Sequence, residues 1–392
     1  MALASRLLRF SPALSPRAAN VRTLRHDNNK TNSNKSKNNN NNNHNNITNK
    51  TFIFRHVRRC GNRAAISQWL EDTDTSPPPL AQNSLASLVA VRAAQAPESL
   101  ALSAPQQGVS WSFKELEEKA ARVAAALAAR GYARGQVLVT DLPNSVENLL
   151  LQVACSHLGV AVATAKDPKT LEKLVAARPW DVRGAVCGPS FLIKSQLSLP
   201  PVIIEELDGS LSPLLSSGDK SPLAEPRDNA ALGYWNVTKA LTNGEALGVM
   251  GAAAAERLAV TAEDRVLVSI SLCHAFGIGS AVGGAWLGGA AAVLPGAIGI
   301  QGCDSPSQLA EATLACLVSQ RCSLLFVDVY TLKGLPVPSP GLDLSALRGG
   351  VCKVGSGADF LEEIREAKIG PDGELRPLEY AGVQILAMGR KS

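Results

Sequence analysis

Three short segments of this 392-residue chain bring together side chains that could do chemistry. The first is Gly233-Tyr-Trp-Asn-Val-Thr-Lys-Ala-Leu-Thr-Asn-Gly-Glu245, where the hydroxyl of Thr238 stands beside the ammonium of Lys239. A hydroxyl next to a point cation could meet phosphate oxygens. Thr242 has a competing use, because Glu245 three residues on completes a capping box for a helix over Asn243–Leu258; capping is the preferred reading. The second segment, Cys273-His-Ala-Phe-Gly277, ends an apolar strand-like run, Val266–Leu272. The end of such a strand, followed by glycine, is where open α/β sheets hold ligands. His274 there either borders a ligand or is a satisfied core imidazole. No carboxylate can be paired with it, so the catalytic residues stay unassigned. The third segment is the turn Gly355-Ser-Gly357. Asp328, after the apolar run Leu324–Val327, either caps the next helix, which is preferred, or touches a ligand.

The elements that must position these segments follow from periodicity. Leu85, Leu88, Val89 and Val91 open an amphipathic helix that Ala96-Pro-Glu98 ends. Val109-Ser-Trp-Ser-Phe113 alternates as a strand does, and Ser112 with Glu115 forms a capping box for a helix over Phe113–Arg130. Gly131 stops that helix. A buried strand over Gln136–Thr140, a helix over Val146–Leu158, Gly159 and a strand over Val160–Ala163 come next. Strands and helices alternating at these lengths predict an α/β fold of mostly parallel sheets covered by helices. Near the C-terminus, Asp372-Gly373 is the turn signal of a short hairpin.

The order of these pieces resembles the AMP-forming acyl-CoA synthetase family, which includes acyl- and aryl-CoA ligases, luciferases and peptide-synthetase adenylation domains. The resemblance rests on Trp111-Ser-Phe-Lys-Glu-Leu116, Gly135–Asn144, Ala154–Val162, Val260–Gly279, Val293-Leu-Pro295, Leu347-Arg-Gly-Gly-Val351 and Gly355-Ser-Gly357, spread over residues 84–360. It implies an N-terminal adenylate-forming domain, ATP and Mg²⁺, CoA as co-substrate, and a small-molecule carboxylic acid, possibly fatty, as the partner. Carried over by position, Thr238 and Lys239 would face the ATP phosphates, and Gly355, Ser356 and Gly357 the adenine. His274, Phe276 and Gly277 would border the acyl group. The chain departs from the family where Thr-Ser-Gly-Thr-Thr-Gly-x-Pro-Lys-Gly is expected, since residues 233–245 are shorter and offer only Gly233 and Gly244. Leu324–Leu332 lacks the family's proline, and neither Tyr-Gly-x-Thr-Glu nor a C-terminal lid follows residue 360. Two expectations result: an enzyme that activates a carboxylic acid, or a non-catalytic descendant that binds acyl groups or serves as an interaction scaffold. A truncated gene model is a third.

Composition sets the remaining bounds. Hydrophobic residues are 45% and aromatics 4%, so Ala, Val and Leu must fill the core. The net charge of +5 is uneven: residues 1–63 hold 13 basic residues against Asp27 alone, leaving 26 basic and 33 acidic residues in the rest. A basic leader on an acidic body, without a basic stripe carrying aromatics, argues against nucleic-acid binding. Residues 1–26, with five arginines and no acid, read as a transit peptide to the mitochondrial matrix, a plastid being the alternative. Residues 27–50 are an asparagine-rich tract expected to be disordered, and 51–83 a linker. The AMP-binding-like α/β domain, incomplete, would occupy 84–392. No run is long enough to span a membrane. The eight cysteines form no C-x-x-C pair, so buried thiols in a reducing compartment are expected and no metal site.

Overall fold

A computed structural model describes residues 84–164, 182–188, 203–206, 211–217, 231–233, 240–242, 244–273, 275–295, 306–355, 359–368 and 374–390. All lie in one unit, Asp74–Ser392. The segments assigned to residues 1–83 as leader, tract and linker lie outside the described residues.

The described chain begins with α1 (Leu85–Gln95), then β1 (Leu100–Ala104), β2 (Val109–Ser112) and α2 (Phe113–Ala129). The capping box read from the sequence is present: Ser112 Oγ accepts from the Glu115 N–H at 3.2 Å, and the Glu115 carboxylate accepts from the Ser112 N–H at 2.8 Å. A smaller sheet follows, built from β3 (Val137–Thr140), β4 (Ala161–Thr164), β5 (Val182–Cys187) and β6 (Ile203–Glu206), with α3 (Val146–Leu158) joining its first two strands. Its order is β4-β3-β5-β6 and every pair is parallel. Next come α4 (Ser212–Ser217) and an antiparallel hairpin, β7 (Ala231–Gly233) and β8 (Ala240–Thr242).

The chain then enters the main sheet, through α5 (Ala252–Arg257), β9 (Arg265–Ser269), α6 (Gly284–Leu287), β10 (Ala291–Val293), α7 (Pro306–Ser319), β11 (Leu324–Asp328), α8 (Val329–Gly334) and β12 (Gly349–Lys353). Then come β13 (Asp359–Leu361), the hairpin β14 (Glu366–Lys368) and β15 (Leu375–Pro377), the short pair β16 (Glu379–Tyr380) and β17 (Val383–Gln384), and finally β18 (Leu386–Gly389). The main sheet has eight strands in the order β13-β18-β12-β11-β9-β10-β1-β2. From β18 to β1 every pair is parallel, and only the edges β13 and β2 are antiparallel.

Both faces of this sheet are covered, as the continuous apolar runs of its strands require. One face carries Val266, Val268, Phe326, Val351 and Met388 into a core shared with α1, α2, α3 and the smaller sheet. The other carries Leu267, Val293, Leu325, Val327 and Cys352 against α7 and α8. Trp286, fully buried, donates from Nε1 to the Ala101 carbonyl at 2.9 Å and so fastens α6 to β1. Among the described residues no helix is long and apolar enough to cross a membrane.

The sequence reading is corrected in one region. The single helix expected over Asn243–Leu258 is a π-helical segment, Gly244–Gly251, continuing into α5. Thr242 is paired with Ala231 inside the β7–β8 hairpin, two residues before the helical segment begins, so the expected capping arrangement is not the one formed. A second π-helical segment, Phe276–Gly283, packs against the first. Glycine permits that approach: a Cβ on Gly251 would stand 3.0 Å from the Gly279 carbonyl oxygen.

Candidate active site

Strand order decides where a crevice opens. After β9 the chain adds β10 on one side, then returns to add β11 and β12 on the other. Ligands of open parallel sheets bind at such a reversal, beyond the carboxyl ends of the strands. Here those ends are Ser269 of β9, Asp328 of β11 and Lys353 of β12.

Beyond β9 the backbone turns through Ile270–Cys273 and is pinned from outside. Asn144 Nδ2 donates to the Ile270 carbonyl at 3.0 Å, and its Oδ1 accepts from the Leu272 N–H at 2.9 Å. Gln152 Nε2 donates to the Leu272 carbonyl at 3.3 Å and to Asn148 Oδ1 at 2.9 Å. Asn148 in turn donates to the carbonyls of Leu142 and Pro143 at 2.9 and 3.0 Å. Three carboxamides at four-residue spacing, from the residue before the Ser145 cap of α3 into its second turn, thus fix the loop that precedes residue 274. The spacing was visible in the sequence, but only the fold reveals what it holds. Ser271 Oγ accepts from the Cys273 N–H at 3.2 Å and donates to Cys273 Sγ at 2.8 Å.

The second π-helical segment then begins. Phe276 is buried, its ring centroid 5.6 Å from that of Phe326 on β11. Gly277 must be glycine, because a Cβ would stand 2.3 Å from the Ser271 carbonyl oxygen. This close approach folds the chain back under Phe276. Asp328 caps α8, its Oδ1 accepting from the Thr331 N–H at 2.7 Å, as the sequence reading preferred. Lys353 places its Nζ 5.5 Å from the Phe276 ring centroid. Gly355, exposed, takes φ +85, a left-handed conformation suited to glycine, and a Cβ there would meet nothing within 4 Å. Burial, with the Asp328 charge adding, pushes the Cys352 thiol well up, which makes it a poor nucleophile. Burial likewise raises the Asp141 carboxyl, beyond the end of β3, against the lowering effect of a hydrogen bond from the Gly188 N–H at 3.0 Å.

Of the candidate site residues, Phe276, Gly277 and Gly355 come to the same edge of the main sheet. Thr238, Lys239, His274, Ser356 and Gly357 lie outside the described residues. The ends of the segment holding Thr238 and Lys239 are described: Gly233 and Ala240 pair across the hairpin. Sequence reasoning missed Asn144 and Lys353; the signal for Lys353 was a cation two residues before a glycine turn. Among the described residues no three His, Cys, Asp or Glu side chains gather as a metal site.

Known proteins place this arrangement. A family model described as AMP-binding enzyme matches residues 89–201. The fold is similar to the N-terminal domain of FACL13 from Mycobacterium tuberculosis, with a TM-score of 0.59, 18% identity, and 69% of this chain covering 70% of that one. It is similar also to a Mycobacterium tuberculosis fatty acyl CoA synthetase, with a TM-score of 0.60, 16% identity, and coverage of 75% and 68%. The fold is that of the N-terminal domain of adenylate-forming enzymes. A third example, the anthranilate CoA ligase AuaEII in complex with anthranoyl-AMP, shares this adenylate-forming fold with a TM-score of 0.60 at 17% identity, this chain covering 55% of its length. No curated protein matches the chain.

Proposed function

We propose that this chain is an acyl-CoA synthetase-like protein that activates a carboxylic acid, of the fatty type, with ATP. In that reaction the substrate carboxylate attacks the α-phosphorus, pyrophosphate leaves, and the CoA thiol then displaces AMP to give the thioester. One observation carries the reading: a crevice at the strand-order reversal of an adenylate-forming fold, walled by Phe276, Lys353 and Gly355. A similar structure whose ligand is an acyl-adenylate supports it. Mg²⁺ would enter on the nucleotide's phosphates, since that ion is usually held by one or two carboxylates together with substrate phosphates. Lys239 and Thr238 would meet those phosphates, with His274 beside the acyl group. The arginine-rich leader would direct the protein to the mitochondrial matrix.

A second reading, binding without turnover, is favoured by the hairpin. Gly233 and Ala240 are paired, so the phosphate-binding segment is reduced to residues 234–239, which contain no glycine.

Acid-dependent exchange between ATP and labelled pyrophosphate in the full chain tests the first reading. Exchange above background with a panel of fatty acids is expected, and Lys239→Ala should abolish it. If the full chain is stabilised by acids on heating yet shows no exchange, and Mg-ATP leaves its melting unchanged, the second reading replaces the first, because a bound ligand must raise apparent stability.

A further inference from the structure

The crevice contains a charge that the sheet does not need. On the face of the main sheet that bears Phe326 and Val351, every deeper position is apolar. At its carboxyl edge stands Lys353, in register with Asp328 on the neighbouring parallel strand. Register partners on parallel strands project to the same face, and residues two apart share it. Lys353, Asp328 and Phe326 therefore point together toward the π-helical segment that opens with Phe276.

Three independent features coincide at the lysine. Its ammonium lies over the Phe276 ring at 5.5 Å, and that ring is locked by burial and by Phe326. The side chain itself is half-buried, at the strand-order reversal where ligands of parallel sheets enter. Two residues on, the backbone at Gly355 is exposed and has nothing within 4 Å of where a Cβ would be, so that side is open. An aromatic face attracts and orients an ammonium without neutralising it. We propose that Lys353 seats an anionic group of the ligand of this crevice, a carboxylate or a phosphate, with Phe276 holding the ammonium from behind. The proposal rests on the ligand-binding reading of the crevice. It narrows the ligand to one that presents a negative charge beside β12, from either the nucleotide or the acid.

A rival role is structural, in which Lys353 serves to balance Asp328, and it predicts effects on stability rather than on affinity. The experiment is calorimetric titration of the full chain and of Lys353→Met, Lys353→Arg and Asp328→Asn with AMP, hexanoate and adipate. At least one of these binds the wild type, Lys353→Met weakens that binding tenfold or more, and Lys353→Arg retains most of it. Loss confined to AMP assigns the anion to the nucleotide phosphate. Loss of adipate with hexanoate unchanged assigns it to a second carboxylate, and loss of both acids to the reacting one.

Three results would overturn the proposal: no probe binding the wild type, Lys353→Met binding all three as the wild type does, or Asp328→Asn restoring a destabilised Lys353→Met whose affinities are normal. Should Lys353→Met not fold, acetylation of Lys353 in the wild type, read by mass spectrometry, decides. A bound probe should slow it several-fold, and no slowing sinks the idea. Unchanged binding by Lys353→Met beside active pyrophosphate exchange removes this proposal and leaves adenylation standing. Lysine-dependent adipate binding without exchange does the reverse.

Discussion

The two ends of the main sheet are built from the same strands and use polar groups in opposite ways. At the amino end, where β9, β11 and β12 begin, Asp264 accepts from Arg348 Nε and Nη2 at 2.9 and 2.6 Å, from Ser323 Oγ at 2.7 Å and from the Thr261 N–H at 2.8 Å. Arg348 also donates to the carbonyls of Leu258 and Ala259 at 2.8 and 3.0 Å. Ser323 closes the network by accepting from the Arg265 N–H at 3.1 Å. At the carboxyl end stand a lysine over an aromatic ring and an exposed left-handed glycine with open space beside it. Closed networks fasten the strands; open, cradled charge awaits something else. Stability and ligand response should therefore separate by end of the sheet.

The strongest way to break that separation is at Asp264. Its side chain is 6% exposed and its Arg348 partner 41%, so removing the carboxylate leaves a half-buried guanidinium unpaired. Asp264→Ala should cost about 3 kcal/mol, toward the lower bound for a broken buried pair, and lower the melting temperature by several degrees while leaving ligand response intact. A loss below about 1 kcal/mol would mean the amino end is not the fastening the geometry implies.

Acid titration sharpens the same contrast. Burial pushes the Asp264 carboxyl up, but its hydrogen bonds to Arg348, Ser323 and Thr261, with the Arg348 charge, outweigh that and hold it below the ordinary 3.8. Its contribution is present above the unfolded value and is lost only as pH falls through the lower folded value. His157 loses stability earlier. Neither of its ring nitrogens has a partner among the described residues, and burial lowers it from 6.5 to about 4. Because the unfolded chain binds the proton more readily, stability is full above 6.5 and falls as pH drops toward 4, by about 3 kcal/mol in all. Melting temperatures of His157→Leu should be flat across that window and still fall below it. A wild-type curve flat between pH 6.5 and 4 would show that the imidazole is solvated.

Asn144 is the intermediate case, since it belongs to the carboxyl end but acts as backbone. Replacing it by alanine strips the Leu272 N–H of its acceptor and the Ile270 carbonyl of its donor, at about 2 kcal/mol. Unlike Asp264→Ala, it should also weaken ligand response, because the loop it pins leads directly into residue 274. If Asn144→Ala melts early but binds normally, the carboxamides are part of the fastening and the contrast between the ends is weaker than drawn.

What the sequence revealed follows the same division. The helix over Val146–Leu158, the Ser112–Glu115 capping box, the Asp328 cap and the alternation that makes parallel sheets were all legible, because each is local: a period, a cap or a breaker. The second half of the expected helix over Asn243–Leu258 survives as α5, but its first half is π-helical. That difference comes from the approach of Gly251 to Gly279, a tertiary contact no local pattern encodes. Phe276 and Gly277 were found through their place at a strand end. Lys353 was not, since its meaning depends on β12 lying two strands from β9 and on a ring contributed by a residue 77 positions earlier in the chain.

The smallest expected effect is on stability at Lys353, and it is the sharpest test of the comparison. A lysine kept for structure would contribute through Asp328 and through the ring. A lysine kept for a ligand should contribute little in its absence. The cation–π contact at a half-buried site is worth about 0.5–1 kcal/mol, and methionine retains the apolar stem against Phe276 while removing the desolvation cost of the ammonium. Chemical denaturation of Lys353→Met without ligand should therefore fall within about 1 kcal/mol of the wild type, with an unchanged slope. A loss near that of Asp264→Ala would show that Lys353 fastens the carboxyl end as Arg348 fastens the amino end, and the two ends would then differ in composition but not in purpose.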